Sequence, residues 1–287
     1  MREPIAIVNI VIIAVTSYVT YRAFKDASML RKYMFSTETV LGRREYYRLF
    51  SSALIHADWG HLFFNMFSLY SFGRFIEVLY GPGTLVVIYL SSIVGGNLLS
   101  LYLHRNHEYR ALGASGGVCG VIFAAIFLIP GGSVYVFPLP VAIPTSLYAV
   151  LFILISFFGI KSRMGNIGHD AHLGGAIVGL LVTTVLHPGI VSESPVLYLI
   201  VIGLSSVLLL YLYRTYGLAG GVGSTERKGW GDLLKGRRGE SDQGRSPSDD
   251  EVLDRLLAKI KERGLDSLTR RERKQLEKLS RKRSGRE

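Results

Sequence analysis

A serine and a histidine stand at comparable places in two separate apolar stretches of this 287-residue chain. Ser115 lies in Gly113-Ala-Ser-Gly-Gly-Val-Cys119, where a polar segment passes into an apolar one. His172 lies well downstream in Ala171-His-Leu-Gly-Gly175, at the start of another. A hydroxyl becomes a nucleophile when a base takes its proton, and donors must then hold the oxyanion that forms on the attacked carbonyl. His172 offers Ser115 that base. The donors would be the backbone N–H of Ser115 and the side chains of His61 and Asn65, which are four apart and share one face of a helix. Asp170 faces a different side of any continuous helix from His172, so the pattern reads as a dyad without an orienting carboxylate.

A short serine side chain reaches an imidazole on a neighbouring helix only if the two backbones approach closely. Gly116 and Gly120 are four apart beside Ser115, and Gly175 and Gly179 have the same spacing after His172. This small-xxx-small pattern permits close helix contact and is also an ordinary packing device. Its place beside both reactive side chains makes it specific. A zinc site would want His-Glu-x-x-His, whereas the chain has His169-Asp-Ala-His172 with no third ligand. An aspartyl pair would need two facing carboxylates within the spans, and Asp58, Asp170 and Glu77 all sit near span ends. Neither scheme has its parts.

The elements that carry these residues are membrane spans. Hydrophobic residues make up 49% of the chain and mean hydropathy is +0.30, a balance foreign to a soluble domain of this length. Apolar stretches long enough to cross or nearly cross the hydrocarbon run at Ile5 to Tyr21, His61 to Leu79, Thr84 to His104, Ser115 to Ile129, Ala142 to Ile160, His172 to Leu186 and Pro195 to Tyr213. The first lacks a clean small-residue cleavage site after it and reads as a retained helix. The lone Cys119 forms no internal disulfide; a buried packing residue is the plainer reading and a reactive thiol the sharper one.

After Tyr213 the chain turns glycine-rich and then charged, the composition of a flexible linker. Ser248 to Glu251 and Thr269 to Glu272 have capping-box spacing, each opening a short helix with apolar residues on one face. Part of the net charge of +11 falls in this tail, with acids interleaved. A solvated helical pair accounts for it, and binding to anionic headgroups or to a partner protein is the alternative. No nucleic-acid motif is present.

In order and span, His61-Leu-Phe-Phe-Asn65, Gly113-Ala-Ser115-Gly116 and Ala171-His172 with Gly175 and Gly179 resemble the rhomboid family of intramembrane serine proteases. Tyr47-Arg48 is similar to the family's aromatic-Arg element, and Glu77 resembles its structural glutamate. The resemblance implies an all-α polytopic membrane protein: a rhomboid-like six-helix core at 1–190 around a water-filled cavity, with the loop Arg22 to Gly60 partly embedded in the membrane surface. An additional C-terminal transmembrane helix at 191–214, a charged linker at 215–247 and a small helical hairpin at 248–287 complete the expected plan. It further implies Ser115 as nucleophile, His172 as base, no metal or cofactor, single-span membrane proteins as substrates, and a multi-pass place in the cell membrane. A non-catalytic relative that binds transmembrane helices of clients would be expected to lose the dyad. A channel or transporter would need paired charges or broken helices at mid-membrane.

Two departures accompany the resemblance. Cys119 stands one turn after Ser115, where the family commonly has an aromatic against the histidine. The family orientation, with the N-terminus in the cytoplasm, also puts every Lys and Arg before Arg214 except Arg2 and Arg74 in external loops, against the positive-inside rule.

Overall fold

The structure is a computed structural model that describes residues 5–135, 141–162 and 167–217, together with positions 256, 259, 269, 272, 273, 276 and 277. It is a helical membrane protein. The first helix, α1 (Ile7–Lys25), leads into a long surface loop with three short helices, α2 (Ala27–Tyr33), α3 (Thr37–Gly42) and α4 (Arg48–Ser51). Then come α5 (Trp59–Tyr80), α6 (Pro82–Leu103), α7 (Ser115–Leu128), α8 (Thr145–Ser162), α9 (His169–Leu186), the short α10 (Ile190–Glu193) and α11 (Pro195–Leu212), which a π turn extends to Gly217. Two small antiparallel pairs clip loops together: β1 (Phe35–Ser36) with β2 (Arg110–Ala111), and β3 (Ser133–Tyr135) with β4 (Ala142–Pro144).

Seven spans are expected from the sequence, and five helices among the described residues are long and apolar enough to cross a membrane. The other two fall short for different reasons. At 14 residues α7 is about 21 Å long against a hydrocarbon core of about 30 Å. Every α7 residue from Gly116 to Leu128 is buried, so this helix is wrapped by protein rather than lipid. By contrast α5 has 22 residues, but His61, Asn65, Arg74 and Glu77 lower its hydropathy.

Boundaries also move. The first helix runs to Lys25 rather than Tyr21, and α9 begins at His169, so His172 lies inside its first turn instead of opening it. Ala142 to Pro144 forms a strand rather than the start of a span, because Ile143 before a proline is steered toward extended backbone.

The core centres on α9, which packs along α6 and α7, while α5 closes the other side of α7 and α8 lies against α9 and α11. Leu69, Leu85, Ile88, Phe123, Phe127, Ile153 and Leu173 are among its fully buried side chains. At one end of the bundle the Tyr80 hydroxyl donates to the Leu128 carbonyl (2.7 Å) and Thr84 Oγ1 meets His187 Nε2 (3.3 Å). The long first loop and the loop after α6 meet at the other end through the β1–β2 pair.

Glu77 joins α5 to the start of α1. Helix α1 has no side-chain cap at Ala6, and the first-turn N–H groups of Val8 and Asn9 donate instead to Glu77 Oε1 (2.9 Å) and Oε2 (2.7 Å). Glu77→Ala leaves both amides without an acceptor, and thermal unfolding in detergent is expected to register a loss of about 1–3 kcal/mol, with Glu77→Gln losing less. Arg48, the other residue expected to be structural, is buried and knits the first loop. Its Nε donates to Glu45 Oε2 (2.5 Å), and its Nη1 donates to the carbonyls of Arg31 and Met34 (2.8 Å each).

Residues 231–287 form a second compact unit. Within it Thr269 N–H donates to Glu272 Oε2 (2.8 Å) and Glu272 N–H donates to Thr269 Oγ1 (3.3 Å), a reciprocal cap that Lys259 Nζ reinforces with 2.8 Å contacts to both Glu272 oxygens. The expected linker beyond Gly217, the box at Ser248 to Glu251 and most of the expected hairpin lie outside the described residues.

Candidate active site

Ser115 is the first residue of α7, so its N–H is one of the first-turn amides that a helix leaves without an internal partner. The turn before it is held from three directions. Gly113 takes φ +119°, and its N–H donates to the Ser52 carbonyl (2.9 Å). A side chain at Gly113 would be strained and would press on His61, with Cε1 at 2.5 Å and Nε2 at 2.7 Å from the added carbon. Ala114 N–H donates to His56 Nε2 (3.2 Å). Asn97 of α6 donates from Nδ2 to the Leu49 carbonyl (2.6 Å) and to Ser52 Oγ (3.0 Å), which fixes the approach loop under the turn.

His56 is fully buried and its tautomer follows from its neighbours. Because Nε2 accepts from Ala114, the proton sits on Nδ1 and donates to Thr20 Oγ1 (3.0 Å), which donates onward to the Leu54 carbonyl (3.1 Å). Burial, with His61 nearby, pushes the imidazole down from 6.5 to about 3. The folded protein therefore holds His56 neutral where the unfolded chain binds a proton. Its contribution to stability is complete above about pH 6.5 and is lost as pH falls toward about 3. Thermal unfolding measured from pH 7.5 down to 4 is expected to show this acid-side loss, and His56→Gln is expected to flatten it.

His61 sits in the first turn of α5, which Asp58 caps by accepting the His61 N–H (2.8 Å). Ala57 N–H points at His61 Nδ1 (3.5 Å), which leaves Nε2 to carry the proton on the side facing Gly113. Asn65 is buried one turn along and donates from Nδ2 to the His61 carbonyl (2.8 Å), so one of its two amide protons is engaged within α5.

His172 lies on the first turn of α9 with its N–H donating to the Gly168 carbonyl (3.0 Å). His61, His169 and Asp170 are all close enough to interact with it electrostatically. Ser115, His61 and His172 are each partly exposed, whereas Gly116, Asn65 and Leu173 next to them are buried. The His169 and His172 rings stand 6.3 Å apart at 74°, edge to face. His169 lies over Gly159 of α8, where any side chain would overlap the ring.

The expected glycine pairs do meet. A β-carbon on Gly175 would overlap the Gly116 carbonyl oxygen, and one on Gly179 would overlap Gly120, with its carbonyl oxygen at 2.7 Å. One on Gly116 would stand 3.2 Å from the Ala171 carbonyl oxygen. The contact thus runs along α7 and α9 from the residues beside Ser115 and His172. Sequence reasoning missed its third partner: a side chain at Gly96 of α6 would overlap the same Ala171 carbonyl, and Gly174 packs on Gly95 and Gly96. The Gly95-Gly96 doublet inside an apolar span was the available signal. The tie of His56 to Ala114 had none, since nothing local links positions so far apart. Cys119 is buried in the core one turn after Ser115.

A family model described as the Rhomboid domain matches residues 43–189, and one for a family of unknown function (DUF6576) matches 247–282. Among curated proteins the chain is similar to RHOMBOID-like protein 12, mitochondrial, of Arabidopsis thaliana, with 31% identity covering 61% of this chain and 56% of that protein. It is also similar to the rhomboid protease GluP of Bacillus subtilis (27% identity; 52% and 27% covered) and the rhomboid protease AarA of Providencia stuartii (26%; 59% and 66%). The matches thus span between about a quarter and two thirds of these relatives' own lengths.

Proposed function

The chain belongs to the rhomboid family, and on that premise we propose that it is an intramembrane serine protease that cuts single-span membrane proteins in or near their transmembrane segment. Ser115 Oγ attacks the scissile carbonyl carbon while His172 takes its proton. The Ser115 N–H, His61 Nε2–H and the free amide proton of Asn65 receive the oxyanion. Collapse of the tetrahedral intermediate breaks the C–N bond, and the imidazolium returns its proton to the leaving amine. Water, activated by the same imidazole, then hydrolyses the acyl-serine.

The observation that supports this reading most is the glycine-on-glycine contact of α7 and α9 beside Ser115 and His172. Close glycine contact also serves plain helix packing, but a hydroxyl that must reach an imidazole on the neighbouring helix requires it. Partial exposure of Ser115, His61 and His172 fits a site that admits water. The substrate must contribute as well: a transmembrane helix has every peptide group satisfied internally, so it must unwind locally before a carbonyl is open to attack.

The competing reading, a non-catalytic protein that binds client transmembrane helices, keeps the same bundle and has no need of the hydroxyl or the imidazole. Purified protein in liposomes, incubated with a panel of single-span substrates, separates them: cleavage lost in Ser115→Ala and in His172→Ala supports proteolysis. Client binding without cleavage by the wild type supports the alternative. The protein is a multi-pass membrane protein, and we place it in the cell membrane, which fractionation of expressing cells tests.

A further inference from the structure

We propose that Asp170 is the positioning residue for His172, acting through the first turn of α9. The inference rests on the protease reading given above. Asp170 is 3% exposed. Its Oδ1 accepts from the Tyr109 hydroxyl (3.1 Å), and its Oδ2 lies 3.1 Å from His104 Nε2. His104 stacks flat on the Tyr109 ring, with centroids 3.8 Å apart and 8° between planes, and its Nδ1 meets His107 Nε2 at 3.1 Å.

This platform is itself tied down. His104 caps the end of α6 through its N–H to the Ser100 carbonyl (3.0 Å). Tyr109 N–H donates to Thr37 Oγ1 (2.9 Å), and Thr37 returns its N–H to the Tyr109 carbonyl (3.1 Å) and its hydroxyl to the His107 carbonyl (2.7 Å). The carboxylate therefore fastens α9 to the end of α6 and to the first loop together.

Successive helix residues are turned by about 100°, so Asp170 and His172 project from nearly opposite faces. The start of a helix lacks preceding turns to fix its rotation, and a tether on one face sets the aim of the other. Between them the Ala171 carbonyl is seated against Gly96 of α6 and Gly116 of α7, which sets the depth of the same turn. Three consecutive residues thus divide the work: Asp170 fixes rotation, Ala171 fixes depth, and His172 presents the base. A fixed negative charge two residues away also favours the imidazolium that forms as Ser115 loses its proton. The titratable groups around Asp170 are His104, His107 and Tyr109 from the α6 end and loop, with His169 and His172 on its own helix. Arg110 at the surface pairs with Glu108.

The test uses the full-length protein in detergent micelles. The rate of Ser115 labelling by a fluorophosphonate is measured with thermal unfolding, and kcat and KM are measured for a single-span substrate. Asp170→Asn is expected to slow labelling and kcat by about 10²-fold at unchanged KM, since misplacement of a catalytic group by about 1 Å has an effect of that size. Asp170→Glu should recover part of the rate, and Tyr109→Phe should fall between. Wild-type labelling rates in Asp170→Asn overturn the positioning role alone, as does a deficit that vanishes when rates are normalised to folded protein. A Ser115 that no fluorophosphonate labels in the wild type overturns the protease reading, and the positioning role with it.

Discussion

Ser115→Ala is expected to reduce cleavage by a factor on the order of 10⁴ or more while leaving the protein as stable as the wild type, within about 0.5 kcal/mol. The substitution removes one oxygen. Ser115 is partly exposed at the first position of α7, and alanine is a strong helix former there, so neither packing nor helix propensity argues for unfolding. What is lost is the hydroxyl proposed as the nucleophile. His172→Ala should match it, and the double mutant should be no worse than either, because a nucleophile without its base and a base without its nucleophile fail at the same step. Single-turnover cleavage in liposomes measures the rates, and thermal unfolding measures the stability. Residual cleavage that is equal in all three variants and near the wild-type rate would put the chemistry elsewhere.

Gly175→Ala is expected to fail differently. The added carbon overlaps the Gly116 carbonyl oxygen and stands 2.7 Å from its carbonyl carbon and 2.9 Å from its Cα. All three are backbone atoms, so no change of rotamer relieves the clash and the two helices must move apart. Overpacking of this kind destabilises by about 1–3 kcal/mol. Separation by about 1 Å moves Ser115 away from His172, which on the protease reading lowers turnover by about 10²-fold in whatever protein remains folded. Gly203 on α11 provides the control, because a β-carbon there meets nothing within 4 Å. Gly203→Ala should be neutral or stabilise by up to about 1 kcal/mol, with full activity. One pair of measurements, turnover per folded molecule and unfolding temperature, distinguishes a missing reactive atom from a widened helix contact.

The share of this architecture that could be read along the chain follows from how lipid constrains sequence. A spanning helix must satisfy its backbone internally and present apolar side chains for about twenty residues, so spans announce themselves in composition. Polar side chains are sparse there, which is why Ser115, His172, His61 and Asn65 stood out. Spacing of four put Gly116 with Gly120 and Gly175 with Gly179 on single faces, because helix periodicity is local. Glu77 and Arg48 could be marked as structural through the family resemblance alone; their partners, the amides of α1 and the carbonyls of the first loop, could not be named.

Other features were decided only when the helices packed. The stretch read as a fourth span is a short helix buried on all sides, since depth in a bundle depends on what surrounds a segment and not on its own hydropathy. His56 holds its tautomer from Thr20 and Ala114, which lie 36 residues before and 58 after it. Asp170 could be turned away from His172 by helix geometry on paper, yet nothing in the order of residues says that Tyr109 and His104 wait on the other face. Local physics determined which atoms could react and which faces could touch. The contacts that aim those atoms join residues distant along the chain, and only the folded bundle brings them within reach of one another.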